Sequence, residues 1–239
     1  MRKDHRPYYI KKLHTQIQAL YVKHFIKPQL STLGAGFTFM KPWHVKIFGA
    51  PIHIGKCATL IASSDNKIRL SVWSDSAAKG SIRVGNYCMV CPGVRIGSAE
   101  RINIGDNCMI ASNAYIADSD WHDLYNRIAM GKTAPVDIAD NVWVGESAII
   151  CKGVSIGENS IIGAGAVVVS DIPSDCISAG NPARIVKRLD PDKQMMTRAH
   201  FFKNPQKLFH DFDRFDRDFL GKNSLLRWVR HLLFPGKND

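Results

Sequence analysis

Aliphatic residues return every sixth position over most of the middle of this chain, and few backbones accommodate that period. Ile54 and Leu60 form a first block, and Val84, Val90 and Ile96 a second. Ile104, Ile110 and Ile116 resume after a two-residue slip at Ser98 to Arg101, and the longest block runs through Ile138, Val144, Ile150, Ile156, Ile162 and Val168. One position after the aliphatic the residue is usually small, as at Gly55, Gly85, Gly105, Gly145, Gly157 and Gly163. Four positions after it the residue is small or β-branched, as at Ala58, Cys88, Cys108, Val154 and Ala166.

A helix repeats every ~3.6 residues and a strand every ~2, so neither alone explains six. Short strands joined by tight turns do, if each hexad is one flat side of a coil and three sides close a triangular prism. The aliphatic then points into a narrow core and stacks on its equivalents about eighteen residues away in the coils above and below. Glycine follows because the corner crowds the backbone. This pattern resembles the hexapeptide-repeat acyltransferases, and the resemblance implies a mainly β fold, a left-handed parallel β-helix, over residues 50–187. A loop would leave it at 117–137, where the 22-residue step from Ile116 to Ile138 breaks the period.

The ends read differently. Tyr9, Ile10, Leu13, Ile17, Leu20, Tyr21 and Phe25 fall at helical spacing, so residues 1–49 are expected to form a helical and irregular arm whose helix stops at Pro28. Residues 188–239 are expected to form a basic helical extension in one or two segments broken near Gly221. Seven Lys/Arg against one acid in residues 1–27, and thirteen against seven in residues 184–239, give each end a charge of +6. The middle holds twelve basic and thirteen acidic side chains, so the whole formal charge of +11 belongs to the ends. Basic arms interleaved with aromatics suit a cap over the prism or peripheral contact with an anionic membrane; nucleic acid has no motif or stacking platform here.

No apolar run approaches the ~20 residues of a membrane span, and the basic N-terminus lacks a signal-type apolar stretch, so a cytoplasmic protein is expected. Six cysteines in a chain of this length and location read as reduced thiols. Cys88 and Cys91 have C-x-x-C spacing, but no second pair follows at zinc spacing and packing accounts for them. Gly163-Ala164-Gly165 is too short for a dinucleotide fingerprint and reads as a coil corner.

His122 is the single histidine of the irregular segment, flanked by Asp120 and Asp123, which are placed to orient its imidazole. After it come Asn141-Val142-Trp143-Val144-Gly145, then Gly163-Ala164-Gly165-Ala166-Val167-Val168, then Ala179-Gly180-Asn181-Pro182-Ala183-Arg184. These three segments in order are similar to the acetyl-coenzyme A-dependent sugar and xenobiotic O-acetyltransferases, typified by the maltose, galactoside and streptogramin enzymes. The resemblance implies acetyl-CoA as co-substrate, no metal, and a homotrimer with the site between neighbouring prisms. It implies His122 as general base and the Glu146 amide as oxyanion donor. It further implies a coenzyme site drawn from Trp143, Gly145, Gly163, Ala164, Arg184 and Lys187. The chain departs from those sugar enzymes where they carry an asparagine-rich stretch, since Met89-Val90-Cys91-Pro92-Gly93-Val94 stands there; Asn113, one coil on, reads as a turn residue. O-acetylation of a sugar, glycan or glycolipid hydroxyl is the leading function, followed by N-acetylation of an amino sugar and then by a non-catalytic scaffold. A zinc-dependent carbonic anhydrase on the same prism would need three histidines, and besides His122 only His44 and His53 stand upstream near the start of the repeat.

Overall fold

The structure is a computed structural model that describes residues 4–73, 80–234 and 236. Positions 1–3, 235 and 237–239 of the expected arms, with the cations Arg2, Lys3 and Lys237, lie outside the described residues. Among the described residues short strands form three sheets of six, eight and six strands, in which neighbours are three strands apart in the chain except at the C-terminal end of the eight-stranded sheet. Each turn of the coil thus contributes one strand to each face of a triangular prism, the left-handed parallel β-helix.

The period of six maps directly onto this coil. Ile54, Val84, Ile104, Ile138 and Ile156 align across the first sheet. Leu60, Val90, Ile110, Val144 and Ile162 align across the second. Leu70, Ile96, Ile116, Ile150 and Val168 align across the third. All fifteen side chains are buried. Burying one such side chain contributes about 2 kcal/mol, so these columns are the main source of stability. Corners between the first two faces turn through left-handed residues, Tyr87, Asn107, Asn141 and Asn159, at φ from +56° to +63°. Asparagine suits that region better than most residues, and Asn141 donates to Asn159 at 2.9 Å, linking one corner to the next.

The slip at Ser98 to Arg101 has a specific cause. Asp118 is fully buried, and its carboxylate accepts from Ser98 Oγ at 2.6 Å and from the amides of Ala99, Glu100 and Arg101 at 2.6, 2.9 and 2.7 Å. The extra corner residues wrap around this one acceptor.

The prism also begins earlier than position 50. Strands Thr32–Leu33, Thr38–Met40 and Val45–Phe48 pair in parallel with the next coil, placing Leu33, Phe39 and Ile47 at the heads of the three columns. An aromatic in the second column and an eight-residue step from Phe39 to Ile47 hide this coil from a count of aliphatics every six.

Helix α1 (Tyr8–Tyr21) continues through a π-helical turn Val22–Ile26 and a 3-10 turn Lys27–Gln29 that contains Pro28. Val22, Ile26 and Leu30 join the core and plug the open end of the prism. At the other end Cys176–Ala179 extends the second sheet and pairs antiparallel with Arg184–Arg188. The chain then turns back through α2 (Arg198–Phe201), where the Arg198 guanidinium donates to the Tyr87 carbonyl at 2.6 Å and to Thr59 Oγ1 at 3.2 Å. Two longer helices follow, α3 (Pro205–Leu220) and α4 (Leu225–Leu233), separated at Gly221. α3 lies beside α1: Tyr8 Oη donates to Asp213 at 2.6 Å, and Lys11 pairs with Asp216. Among the described residues no helix is long and apolar enough to cross a membrane.

Cys88 and Cys108 are fully buried repeat residues, their thiols donating to the carbonyls of Gly105 and Ala139 at 3.1 Å each. The neighbouring Cys108 thiol and burial push the Cys88 thiol above its usual range, which makes it unreactive.

Candidate active site

The excursion leaves the third sheet after Ala117 and rejoins the first at Val136, so the loop proper is 118–135. Its neck is closed by Asp120 N to Lys132 O at 3.1 Å and Ala134 N to Asp118 O at 3.0 Å. Within it Asp123 accepts from the amides of Tyr125 and Asn126 at 2.9 and 2.8 Å, and those amides, Asn126's foremost, hold its carboxyl below the usual range. Asp120 pairs with Lys152 at 2.8 Å. Neither carboxylate therefore orients His122, contrary to the expectation from sequence. The Arg127 carbonyl does, 2.9 Å from His122 Nδ1. A carbonyl only accepts, so in the neutral ring Nδ1 carries the hydrogen and Nε2 is left with the free lone pair.

His122 stands on the wall of a cleft of about 550 Å³, together with Trp121 and Met130 from the loop. Arg69, Ser71, Arg95, Gly97 and Tyr115 of the third sheet, with Trp73 just past strand Ile68–Val72, also line the cleft. Trp121 is held at φ +62°, a conformation that costs a non-glycine residue about 1 kcal/mol. Its indole N–H donates to Tyr115 Oη at 3.0 Å, and its ring lies over Gly97, where an added Cβ would come within 3.1 Å of it. The Arg95 guanidinium lies 4.5 Å from the centre of the Tyr115 ring, and Trp73 stacks on Phe48 at 4.2 Å. This is a wall of aromatic faces and two guanidinium groups with a histidine at its edge.

Arg69, Trp73, Arg95 and Tyr115 were not legible as site residues from motifs. A usable signal was present in the repeat itself: the residue just before each inward aliphatic of the third face points outward, and reading that position down the coil gives Arg69, Arg95 and Tyr115.

The residues expected on the coenzyme side line other surfaces, and none of them borders the His122 cleft. Trp143 is half exposed on the second sheet between Met109 and Ile161. Gly145 and Glu146 begin the corner from the second to the third face, stacked against Gly163 and Ala164 of the next coil. An added Cβ on Gly145 would sit 2.5 Å from the Ile162 carbonyl oxygen, and the Glu146 carbonyl accepts from Gly165 N at 2.8 Å. Arg184 and Lys187 are exposed on the antiparallel strand Arg184–Arg188, Lys187 opposite Ile177. Asn113 is a left-handed turn residue at φ +61° packed against Gly93. Among the described residues no group of three His, Cys, Asp or Glu side chains is arranged to hold a metal ion.

Residues 135–170 match the bacterial transferase hexapeptide family (six repeats), and residues 101–117 match the hexapeptide repeat of succinyl-transferase. With the coil described above, these matches define the class: the chain carries hexapeptide repeats wound into a left-handed β-helix. The relatives it resembles are acetyltransferases by name. It is 36% identical over 107 residues to the galactoside O-acetyltransferase of Escherichia coli K12, covering 43% of this chain and 50% of that one. The chain spans about half the length of the curated relatives it matches. Among solved structures, an N-acyltransferase from Bacillus cereus bound to dTDP and coenzyme A is 20% identical, with a TM-score of 0.50, covering 70% of this chain and 89% of that one. A maltose O-acetyltransferase from Clostridium difficile 630 is 27% identical, with a TM-score of 0.48, covering 76% and 85%.

Proposed function

We propose that this protein is an acetyl-CoA-dependent O-acetyltransferase that moves an acetyl group to a hydroxyl of a sugar, glycan or glycolipid acceptor. The observation that carries the reading is the fixed tautomer of His122 at the edge of an aromatic-walled cleft. A hydroxyl of pKa far above 7 attacks a thioester poorly unless a base takes its proton as the new bond forms. His122 Nε2 accepts that proton, the acceptor oxygen bonds to the thioester carbonyl carbon, and the resulting oxyanion is stabilised by the Glu146 amide. Collapse breaks the carbon–sulfur bond, and the coenzyme thiolate leaves with the proton returned by the imidazolium. No covalent enzyme intermediate is needed, so both substrates are bound together.

The coenzyme site is assigned to Trp143, Gly145, Gly163, Ala164, Arg184 and Lys187. Their separation from the His122 cleft on one chain supports a homotrimer in which the base of one prism meets the coenzyme surface of the next. The loop tip supports it too, with Tyr125 and Ile128 each 96% exposed. The test is thiol release from acetyl-CoA across a panel of hydroxylated acceptors, with light scattering on the same sample. Release with none of them, or a stable monomer, refutes the reading.

The basic arms support a second element of the reading, peripheral contact with an anionic membrane. Tyr9, Leu13, Ile17 and Leu20 form an exposed apolar stripe on α1, and Leu226, Leu232 and Leu233 are exposed on α4 beside Arg227 and Arg230. Apolar burial at the interface and lysine or arginine near anionic headgroups favour the same orientation.

A further inference from the structure

The wall of the His122 cleft carries a run of cations that general-base chemistry does not use. Lys46, Arg69 and Arg95 occupy one outward column of the third sheet, directly paired on three successive coils, with Tyr115 next in line. Adjacent strands lie about 4.8 Å apart, so the three charges span roughly 10 Å. Like charges directly opposite on neighbouring strands are destabilising. Among the described residues no carboxylate lies within ion-pair distance of any of the three.

Acidic groups nearby are engaged elsewhere. Among the described residues the cleft lining contains both arginines and no Asp or Glu. Arg69 and Arg95 also border a second, polar recess of about 400 Å³ with Lys67, Asn66 and Asp65. The Asp65 carboxylate is held below its usual range first by Ser63 and then by backbone amides, not by either arginine. Arg95 is fixed against the Tyr115 ring, which limits the orientations its planar fork must give up on binding an anion.

We propose that the acceptor is an anionic glycan whose carboxylate or phosphate is held by Arg69 and Arg95, with Lys46 continuing the track. A neighbouring hydroxyl of the same molecule then faces His122 Nε2. This rests on the acetyl-transfer reading and adds the substrate class to it. Arginine suits the task because its fork matches either oxyanion with two parallel N–H donors. Trp73 and Trp121 offer apolar faces for the sugar ring, and the anion offsets a repulsion that the unliganded sheet must carry.

The test is calorimetric binding of three probes to the full-length protein at low salt: a glucuronic acid trisaccharide, glucose 1-phosphate and neutral maltotriose. At least one anionic probe should bind tenfold or more tightly than maltotriose, with the advantage shrinking as salt is raised. The tighter of the two anions names the source of the charge. Arg69→Gln and Arg95→Gln should each weaken that probe tenfold or more, and the lysine variants should weaken it less. Arg69→Gln should also melt at or above the wild-type temperature, because it removes a like-charge contact. Should either glutamine variant not fold, Lys46→Gln reads the same track with a smaller loss. Equal affinity for charged and neutral probes, or undiminished anion binding by the variants, overturns the proposal. Coenzyme A binding on the same samples separates the two levels: retained coenzyme binding without anion preference removes only the anionic acceptor. Absent coenzyme binding removes acetyl transfer, while the anion comparison still reads out.

Discussion

His122 Nδ1 faces the carbonyl of Arg127 across 2.9 Å, a contact made within five residues of chain. The loop thus sets the tautomer of its own histidine without borrowing a carboxylate. His122→Ala should lower kcat by about 10² to 10⁴-fold with coenzyme affinity nearly unchanged, the usual worth of a positioned base. Wild-type turnover by the variant on the true acceptor would remove His122 from the mechanism.

Trp143 has the converse expectation. It is half exposed on the second sheet, away from the cleft, so Trp143→Ala should weaken coenzyme A binding while leaving acceptor binding intact. Calorimetry with coenzyme A reads the first, and the acceptor titration reads the second. A loss confined to acceptor binding would move Trp143 to the other side of the reaction.

Asp118 ties the loop to the slipped corner. Asp118→Ala leaves the amides of Ala99, Glu100 and Arg101 and the Ser98 hydroxyl without their acceptor in a buried place, at a cost of about 3 kcal/mol. Urea denaturation should show a lower midpoint. Unchanged stability would mean that water or a relaxed corner replaces the carboxylate.

Much of this architecture was legible because period six has one economical solution, and the columns that run through Ile54, Leu60 and Leu70 realise it. What escaped was whatever the repeat disguises. The first coil is hidden by Phe39 and a longer step, and Asp118 looks like one more acid beside the polar loop although it is the buried pivot of the slip. The histidine was found because the loop interrupts the period. Its partner was not, since a backbone carbonyl leaves no trace in side-chain identity. Arg69 and Arg95 belong to no motif, and only the register sets them side by side.

The contact between the two arms should respond to acid. Asp213 accepts from Tyr8 and from Arg217, and the Tyr8 hydroxyl first of all holds its carboxyl below the usual range. A carboxyl lowered in the folded state contributes stability above its ordinary pKa of about 4 and loses it as pH falls through the folded value. Protection factors of the α1 amides, which divide out the intrinsic pH dependence of exchange, should therefore fall below about pH 4 and stay level from pH 5 to 8. Asp213→Asn should abolish the step, and a step that persists in that variant assigns it to another acid, such as Asp4 beside Arg6.

The arms themselves make the last prediction. They carry +6 each at the two ends of a chain whose middle is near neutral, and their apolar stripes remain exposed after α1 and α3 have packed together. A lysine or arginine close to an anionic bilayer contributes about 1 kcal/mol, so several acting together are enough for reversible binding even before any apolar insertion. Vesicles containing phosphatidylserine should sediment the protein, and vesicles of phosphatidylcholine alone should not. Raising salt should release it, because the attraction decays within a Debye length of about 8 Å at physiological ionic strength. Leu13→Asp with Ile17→Asp should weaken binding further than charge alone predicts, since it places two acids in the face that would enter the interface. Absence of sedimentation at low salt would assign the stripes to contacts between prisms instead.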